Sequence, residues 1–495
     1  MLGAANLAGM ERAEAEAIYD SGREACVEFM LDLANRFAQH EDRLKRLEEQ
    51  ARQDSRTSSK PPSMDPPKTR AQRRAEARAR AKELMRREGE QRRGGGQLGH
   101  RGAGRELKPE DQVDEIVDHY PQACGGCGHE FSDHERRPRR RFGRHQVAEL
   151  PPMSVITVEH RTHQLRCRRC RSRTSARLPA PVAGSAFGPR LQAAIVTLTA
   201  GYRVSRRGST ELAGDLFGIT LSTGAVDAIC QRASDALAGP HLQLGDWVLD
   251  QPAVHVDETG WRTRGEGRAL WAATAPGGVF LQISEHCNRE QFNALIGSSY
   301  PGIVISDRWN GYSHLDPARR QACWSHIKRD FARHADGLGE QKTFGQTGSE
   351  LTRLVFAAWR AFQHEHHDRD RLQAEIAPIQ TELRALLEHA SPKKARNRWH
   401  RQFANNLLKI WPALWTFTVI DGIEPTNNPA ERSLRAPVIH RKISLGSQSD
   451  NGERFAERAL SAAGTCRQQR RSLFTYLSEL LAAHTRGDPF PALAA

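Results

Sequence analysis

In the stretch "PAVHVDETGWRT", residues 252–263, Val254 and Val256 alternate with His255 and Asp257. This is the two-residue period of a strand with one buried face and one face carrying a functional group, and Asp257 stands where the apolar run ends. Two further apolar runs, "ALWAATA" and "GVFLQI", flank Pro276, Gly277 and Gly278, which is hairpin-type turn chemistry. A helix is expected from Arg289, and the apolar strand "GIVIS" then leads directly into Asp307. Apolar strands alternating with helices restrict this half of the chain to an α/β core.

Two aspartates at the ends of core strands can converge on divalent cations, and a third carboxylate would complete a two-metal site for phosphoryl transfer. Mg²⁺ suits hard oxygen ligands, and no Cys or His cluster competes there. Strand-terminal aspartate is also frequent as a cap or turn residue, so spacing alone leaves both readings open. Glu258 adjoins Asp257 but is expected on the opposite face of a continuing strand. Near the C-terminus, "TNNPAERSLRAP" offers Glu431 as a further acid. Its local explanation is a capping box, with Asn428 as N-cap, Pro429 at N1 and Glu431 at N3.

At 495 residues the chain exceeds one ordinary core, and several domains are expected. Lys and Arg number 73 against 59 Asp and Glu, a net charge of +14 that favours a polyanionic partner, nucleic acid first. The charge is uneven: residues 68–93, "KTRAQRRAEARARAKELMRREGEQRR", combine helix formers and dense arginine with almost no apolar face. A Ser- and Pro-rich linker precedes them, so residues 53–106 form a linker and basic DNA-contacting segment. In residues 10–52, Cys26, Met30, Leu33, Phe37, His40, Leu44 and Leu47 repeat by three and four. That pattern fits a coiled coil or an amphipathic helix packed on its own domain, and either offers a pairing surface for a homo-oligomer.

Nine cysteines include two C-x-x-C pairs, Cys124 with Cys127 and Cys167 with Cys170. Each spacing directs two thiolates from one turn at the same ion, so residues 107–180 read as a four-cysteine structural zinc module with β-like runs, His129 being a lesser ligand candidate. Residues 186–245 read as helix, short turn at Gly218, helix, either a DNA-reading element or a packing hairpin. Residues 250–445 form the α/β core, and residues 446–495 a helical C-terminal region. No apolar run reaches the length of a membrane span and no signal pattern opens the chain, so a cytoplasmic protein is expected.

Four stretches, "HVDETGWR", "SDRWNGY", "CWSHIKRDF" and "NNPAERSLR…HRKISLGSQSDNGERFAE", together resemble the successive signatures of DDE transposases of insertion-sequence family 66. The zinc module, the "SSKPP" linker and "STELAGDLFGITLS" resemble that family's N-terminal half. The chain departs from many relatives at Arg308, Trp309, Asn310 and Ser325, none of them an acid. The resemblance implies an RNase H-like catalytic domain whose acidic triad is Asp257, Asp307 and Glu431, holding Mg²⁺ or Mn²⁺. It also implies a helical insertion at about residues 345–418. The implied activity is cutting at terminal inverted repeats and joining the freed 3′ ends to target DNA, with accessory proteins as potential partners. Lys328, Arg329, Arg432, Arg435, Arg441 and Lys442 are the candidate phosphate contacts around the acids. A regulator with an inactive core and a nuclease without strand transfer are the competing functions.

Overall fold

The computed structural model describes residues 12–52, 106–135, 143–151, 153–297, 300–364, 368–392 and 398–494. The basic segment 68–93 lies outside the described residues. The chain divides into two compact units, residues 67–156 and residues 1–66 with 157–495.

In the first unit, Lys108 anchors a loop whose carbonyl oxygen accepts from Arg144 Nη2 at 2.8 Å and Gln146 Nε2 at 2.9 Å. The Cys124–Cys127 turn closes through Cys124 N donating to His129 O at 2.8 Å and Gly128 N donating to Cys124 O at 2.9 Å. Gly128 takes the left-handed conformation that this turn requires (φ 75°).

In the second unit, α1 (Arg12–Asp20) and α2 (Arg23–Arg52) come first. Of the expected seam, Met30 and Phe37 are exposed and Cys26 is half-buried. Among the described residues, the expected β-like runs give one antiparallel ribbon, β1 (Gln164–Arg166) with β2 (Arg173–Ser175), whose residues are all exposed, besides an isolated bridge between Ala123 and Glu130. With no face to bury, the neighbouring apolar residues Ile156 and Val158 remain in solvent and do not extend it. The ribbon carries the second cysteine turn, where Cys167 N donates to Ser172 O at 2.8 Å and Arg171 N to Cys167 O at 2.9 Å. Arg171 takes φ 62°, so both cysteine pairs sit on the same kind of turn.

A helical layer follows: α3 (Pro189–Val196), α4 (Arg206–Phe217), α5 (Thr223–Ala236) and α6 (Ala238–Leu249). Ser205 and Ser222 cap α4 and α5 through their side chains, and Gly218 ends α4 at φ 65°. The sheet comprises β3 (Ala253–Thr263), β4 (Glu266–Ala275), β5 (Gly278–Ser284), β6 (Ile303–Ser306) and β7 (Arg320–Ala322), in the order β5-β4-β3-β6-β7. β3, β4 and β5 form an antiparallel meander, whereas β6 and β7 run parallel to β3. Arg264 and Gly265, both at positive φ, make the two-residue turn between β3 and β4. The helix α7 (Arg289–Ile296) crosses from β5 to β6 and is capped by Asn288.

Both faces of this sheet are covered. One cluster packs Val254, Val256, Trp271 and Ala273 with the helical layer, and another packs Ile303, Ile305 and Ala322 with the helices that follow β7. His255 therefore is buried, not displayed on an open face, contrary to the strand reading from sequence. α8 (Trp324–Ala335) is followed by the long helices α9 (Gly339–His364), α10 (Arg369–Ala390) and α11 (Arg398–Lys409). The helical excursion thus begins at Gly339, a few residues before the expected boundary. Gly345 and Gly348 lie where α9 crosses α8, and a Cβ on either would collide with Ala335 backbone or the Phe331 ring.

The chain then returns as α12 (Asn428–Ser444), α13 (Asp450–Gln468) and α14 (Leu473–Arg486). α13 closes the free edge of β5. Leu281 N donates to Ser461 Oγ at 2.9 Å, Val279 N to Thr465 Oγ1 at 3.0 Å, Ile283 N to Glu457 Oε1 at 2.6 Å and Gly277 N to Gln468 Oε1 at 2.9 Å. Four helical residues rise about 6 Å and two strand residues about 6.6 Å, so the two ladders stay in step. An edge that would otherwise offer unpaired N–H groups is thereby satisfied.

Candidate active site

β3 and β6 pair in parallel up to His255 opposite Ile305. Two residues beyond that step stand Asp257 and Asp307; Asp307 directly follows β6, whereas Asp257 lies within β3, not at its end as the sequence suggested. The third acid arrives on α12, whose start is fixed from below by Asn427. This residue is fully buried; its Nδ2 donates to Val256 O at 2.7 Å, its Oδ1 lies 3.2 Å from His255 Nδ1 and its N–H donates to Cys323 Sγ at 3.2 Å. One side chain and its own amide therefore tie β3, α8 and α12 together.

Asn427, not Asn428, is the N-cap, and its side chain makes no cap bond. Asn428 is accordingly the first helical residue and Glu431 the fourth, with Glu431 N donating to Asn427 O at 3.2 Å. With the cap at Asn427, N3 falls on Ala430 and not on Glu431, so the capping box expected from "TNNPAER" does not form. Glu431 Oε1 is buried without a hydrogen-bond partner, 3.7 Å from His326 Nδ1 and 3.8 Å from Arg329 Nη2.

Burial and neighbouring acids act together on the two aspartates and Glu258. Burial pushes the Asp257 carboxyl up to about 8, helped by the nearby charges of Glu258, Asp307 and Glu431. Burial and Asp307 push Glu258 up to about 7, while a hydrogen bond from the Tyr312 hydroxyl opposes the rise. Asp307 is also raised by burial, against Trp309 N–H, which donates to its Oδ1 at 2.8 Å, and against Arg320, Arg308 and Arg329. β3 continues to Thr263, and Glu258 accepts from the Tyr312 hydroxyl while feeling the charge of Asp307.

Three carboxyl groups whose charge burial resists, with Glu431 and its orphaned oxygen beside Asp257, are a donor set suited to a hard divalent cation. The surrounding cations divide. Arg329 stands beside Glu431, whereas Arg308 is paired to Asp330 and Arg320 donates to Asp307 O. Lys328 Nζ lies 5.8 Å from the Phe356 ring centroid, and Arg441 Nη1 donates to Thr259 Oγ1 at 3.3 Å, further along β3. Arg432, Arg435 and Lys442 are exposed on α12. Trp261 is buried, with its Nε1 donating to Ser447 Oγ at 3.2 Å, and Trp309 packs on the core.

Sequence reasoning missed Asn427, Tyr312 and Cys323. The only signal for Asn427 was its place beside the expected cap. Among the described residues, one group brings three ligand atoms within 4.8 Å of one another: Cys323, His326 and Glu431. At the two cysteine turns, backbone N–H groups of Gly126 and Cys127 lower Cys124, and the Ser172 hydroxyl and N–H lower Cys170 to about 7. Both turns thus favour thiolates. His129 Nε2 lies 3.2 Å from Glu135 Oε1.

A mixed five-stranded sheet with one acid inside β3, another directly after the adjacent β6 and a third on a later helix defines an α/β fold. Residues 184–454, more than half of the chain, match the profile of the transposase IS66 family, and the chain belongs to that family. Residues 8–106 match a family of unknown function, DUF6444. The chain is also similar to the uncharacterized protein y4hP of Sinorhizobium fredii (strain NBRC 101917 / NGR234). The two are 21% identical over 380 residues, covering 68% of this chain and 67% of the relative. Among the described residues no helix is long and apolar enough to cross a membrane.

Proposed function

We propose that the chain is a DNA transposase of the DDE type, with an RNase H-like catalytic core that cuts the terminal inverted repeats of an insertion sequence and joins the freed 3′ ends to target DNA. The observation that carries this reading is the meeting of Asp257, within β3, with the charges of Asp307, directly after β6, and of Glu431, from the first turn of α12. The strand order, with an antiparallel meander on one side of β3 and two parallel strands on the other, supports the RNase H-like assignment.

Asp257, Asp307 and Glu431 would hold Mg²⁺ or Mn²⁺. Bound there, such ions stabilise charge on the attacking and leaving oxygens of a phosphoryl transfer. The residues of the chain perform the rest. Asn427 sets the point at which α12 leaves β3 and so holds Glu431 against the aspartates. Arg329 balances the Glu431 charge and is available to a phosphate, as are exposed Arg432, Arg435 and Lys442 and, beyond the acids, Arg441 and Lys328. Water is the nucleophile for cutting and the 3′ hydroxyl for joining. Both cysteine turns are proposed to hold structural Zn²⁺ as thiolates. At least a dimer is the expected active assembly, since two ends must be processed.

The test is a linear fragment bearing the element's ends, incubated with the protein, Mg²⁺ and a target plasmid. Joined products are expected. Cleavage alone would reduce the function to a nuclease, and retardation without cleavage would reduce it to a DNA-binding regulator. Asp307→Asn should retain the DNA complex and lose cleavage; unchanged cleavage would remove Asp307 from the site.

A further inference from the structure

Two buried polar atoms that face each other without a hydrogen bond are costly unless something sits between them. His326 Nδ1 and Glu431 Oε1 are such a pair, each buried and unpartnered, 3.7 Å apart. The Cys323 thiol, fully buried at the N-cap of α8, joins them, and the ligand atoms of all three lie within 4.8 Å of one another. Ligands of one tetrahedral ion stand closer together than that limit, so small side-chain adjustments suffice. Cys323 and His326 are spaced C-x-x-H across the first turn of one helix, while Glu431 is delivered independently by α12. The facing cation is Arg329, 3.8 Å from the same Glu431 oxygen, and it must swing aside or remain outside the ligand shell.

We propose that Cys323, His326 and Glu431 form a site for a borderline-soft divalent cation, Zn²⁺, distinct from the all-carboxylate site, and that zinc bound there withdraws Glu431 from Asp257 and Asp307. Sulfur, imidazole nitrogen and one carboxylate oxygen are a zinc ligand set, and three protein ligands leave the fourth tetrahedral position to water. Binding breaks the Cys323 S–H bond and releases its proton to solvent, and the Asn427 N–H already directed at that sulfur stabilises the thiolate. Because Glu431 cannot serve both sites at once, zinc inhibits the reaction that Mg²⁺ supports. This consequence rests on the catalytic role proposed for Glu431, whereas zinc binding rests on the ligand group alone.

The experiment measures zinc per chain in full-length protein dialysed against micromolar free Zn²⁺, for wild type, Cys323→Ser and His326→Gln. Both variants should hold one zinc fewer than wild type, with any zinc at Cys124, Cys127, Cys167 and Cys170 common to all three. His326 is partly exposed, so its variant guards against a folding failure at buried Cys323. Wild-type zinc content in both variants overturns the proposal. In parallel, Mg²⁺-dependent cleavage is titrated with zinc, each protein against its own zinc-free rate. Wild type should lose activity at concentrations that leave Cys323→Ser at its own rate, and equal inhibition of the two overturns the inhibitory role. If the variants lose one zinc but wild type cleaves nothing, the zinc site stands and the catalytic reading of Glu431 falls.

Discussion

Asn427 carries more of the site's geometry than any acid in it, because its amide side chain and backbone meet β3, His255 and Cys323 at once. Asn427→Ala leaves the Val256 carbonyl without its partner in a buried place, a cost of about 1–3 kcal/mol for each orphaned group. The expected outcome is a lower Tm and a cleavage rate that falls more than the affinity for DNA does. Equal losses in both would make Asn427 merely structural. The carboxyls make a pH prediction. Asp257 and Glu258 are raised to about 8 and about 7 from ordinary carboxylate values near 4. In that interval the folded chain binds more protons than the unfolded one, so the stability these groups contribute is present at low pH and lost as pH rises through about 7–8. Metal-free wild type should therefore lose Tm between about pH 5 and about pH 8 relative to Asp257→Asn, and added Mg²⁺ should restore it most at the higher pH. Parallel Tm curves for the two proteins would contradict the raised Asp257. In the sequence Asp257 and Asp307 stand out beside apolar strand-like runs, whereas Glu431 is singled out only by the resemblance to the family's motifs. The cap was misplaced by one residue because "TNNP" offers two asparagines, and only a tertiary partner, Cys323, distinguishes them.

At the scale of elements, the ladder between α13 and β5 explains why the C-terminal helix belongs to the core. Ser461 and Thr465 read in sequence as polar positions of an amphipathic helix, yet both are fully buried and accept from strand N–H groups. A period argument cannot foresee this, since it assigns polar side chains to solvent. Gly464 sits between the two rungs, where a Cβ would stand 3.1 Å from Val279 Cβ. Ser461→Ala should cost about 1–3 kcal/mol by orphaning Leu281 N–H, read as a fall in Tm with DNA affinity unchanged. An unaltered Tm would mean that the edge is satisfied in another way. The strands of the core were readable because apolar runs bounded by Gly277 or Asp307 leave little choice. The β-like runs before Arg177 misled because β-propensity expresses itself only against a face to pack on.

For the whole molecule, the family assignment covers the helical layer, the sheet and the first turn of α13, and the acids fall within it. The excess of positive charge predicts binding whose affinity falls steeply with salt, and deletion of residues 68–93 should flatten that slope. An unchanged slope would remove this segment from phosphate contact. The cysteine turns predict that Cys127→Ser loses zinc, checked by metal content; full zinc in that variant would refute the ligand set. The central claim is that Glu431 acts as a charged ligand beside Asp257 and Asp307. Its most direct test is Mg²⁺-dependent cleavage of the element's ends by Glu431→Gln, with DNA binding measured in the same samples. Glutamine keeps the shape of the side chain and removes its charge. Cleavage should fall by at least about 10²-fold while the DNA complex persists, and a rate near that of wild type would contradict the account.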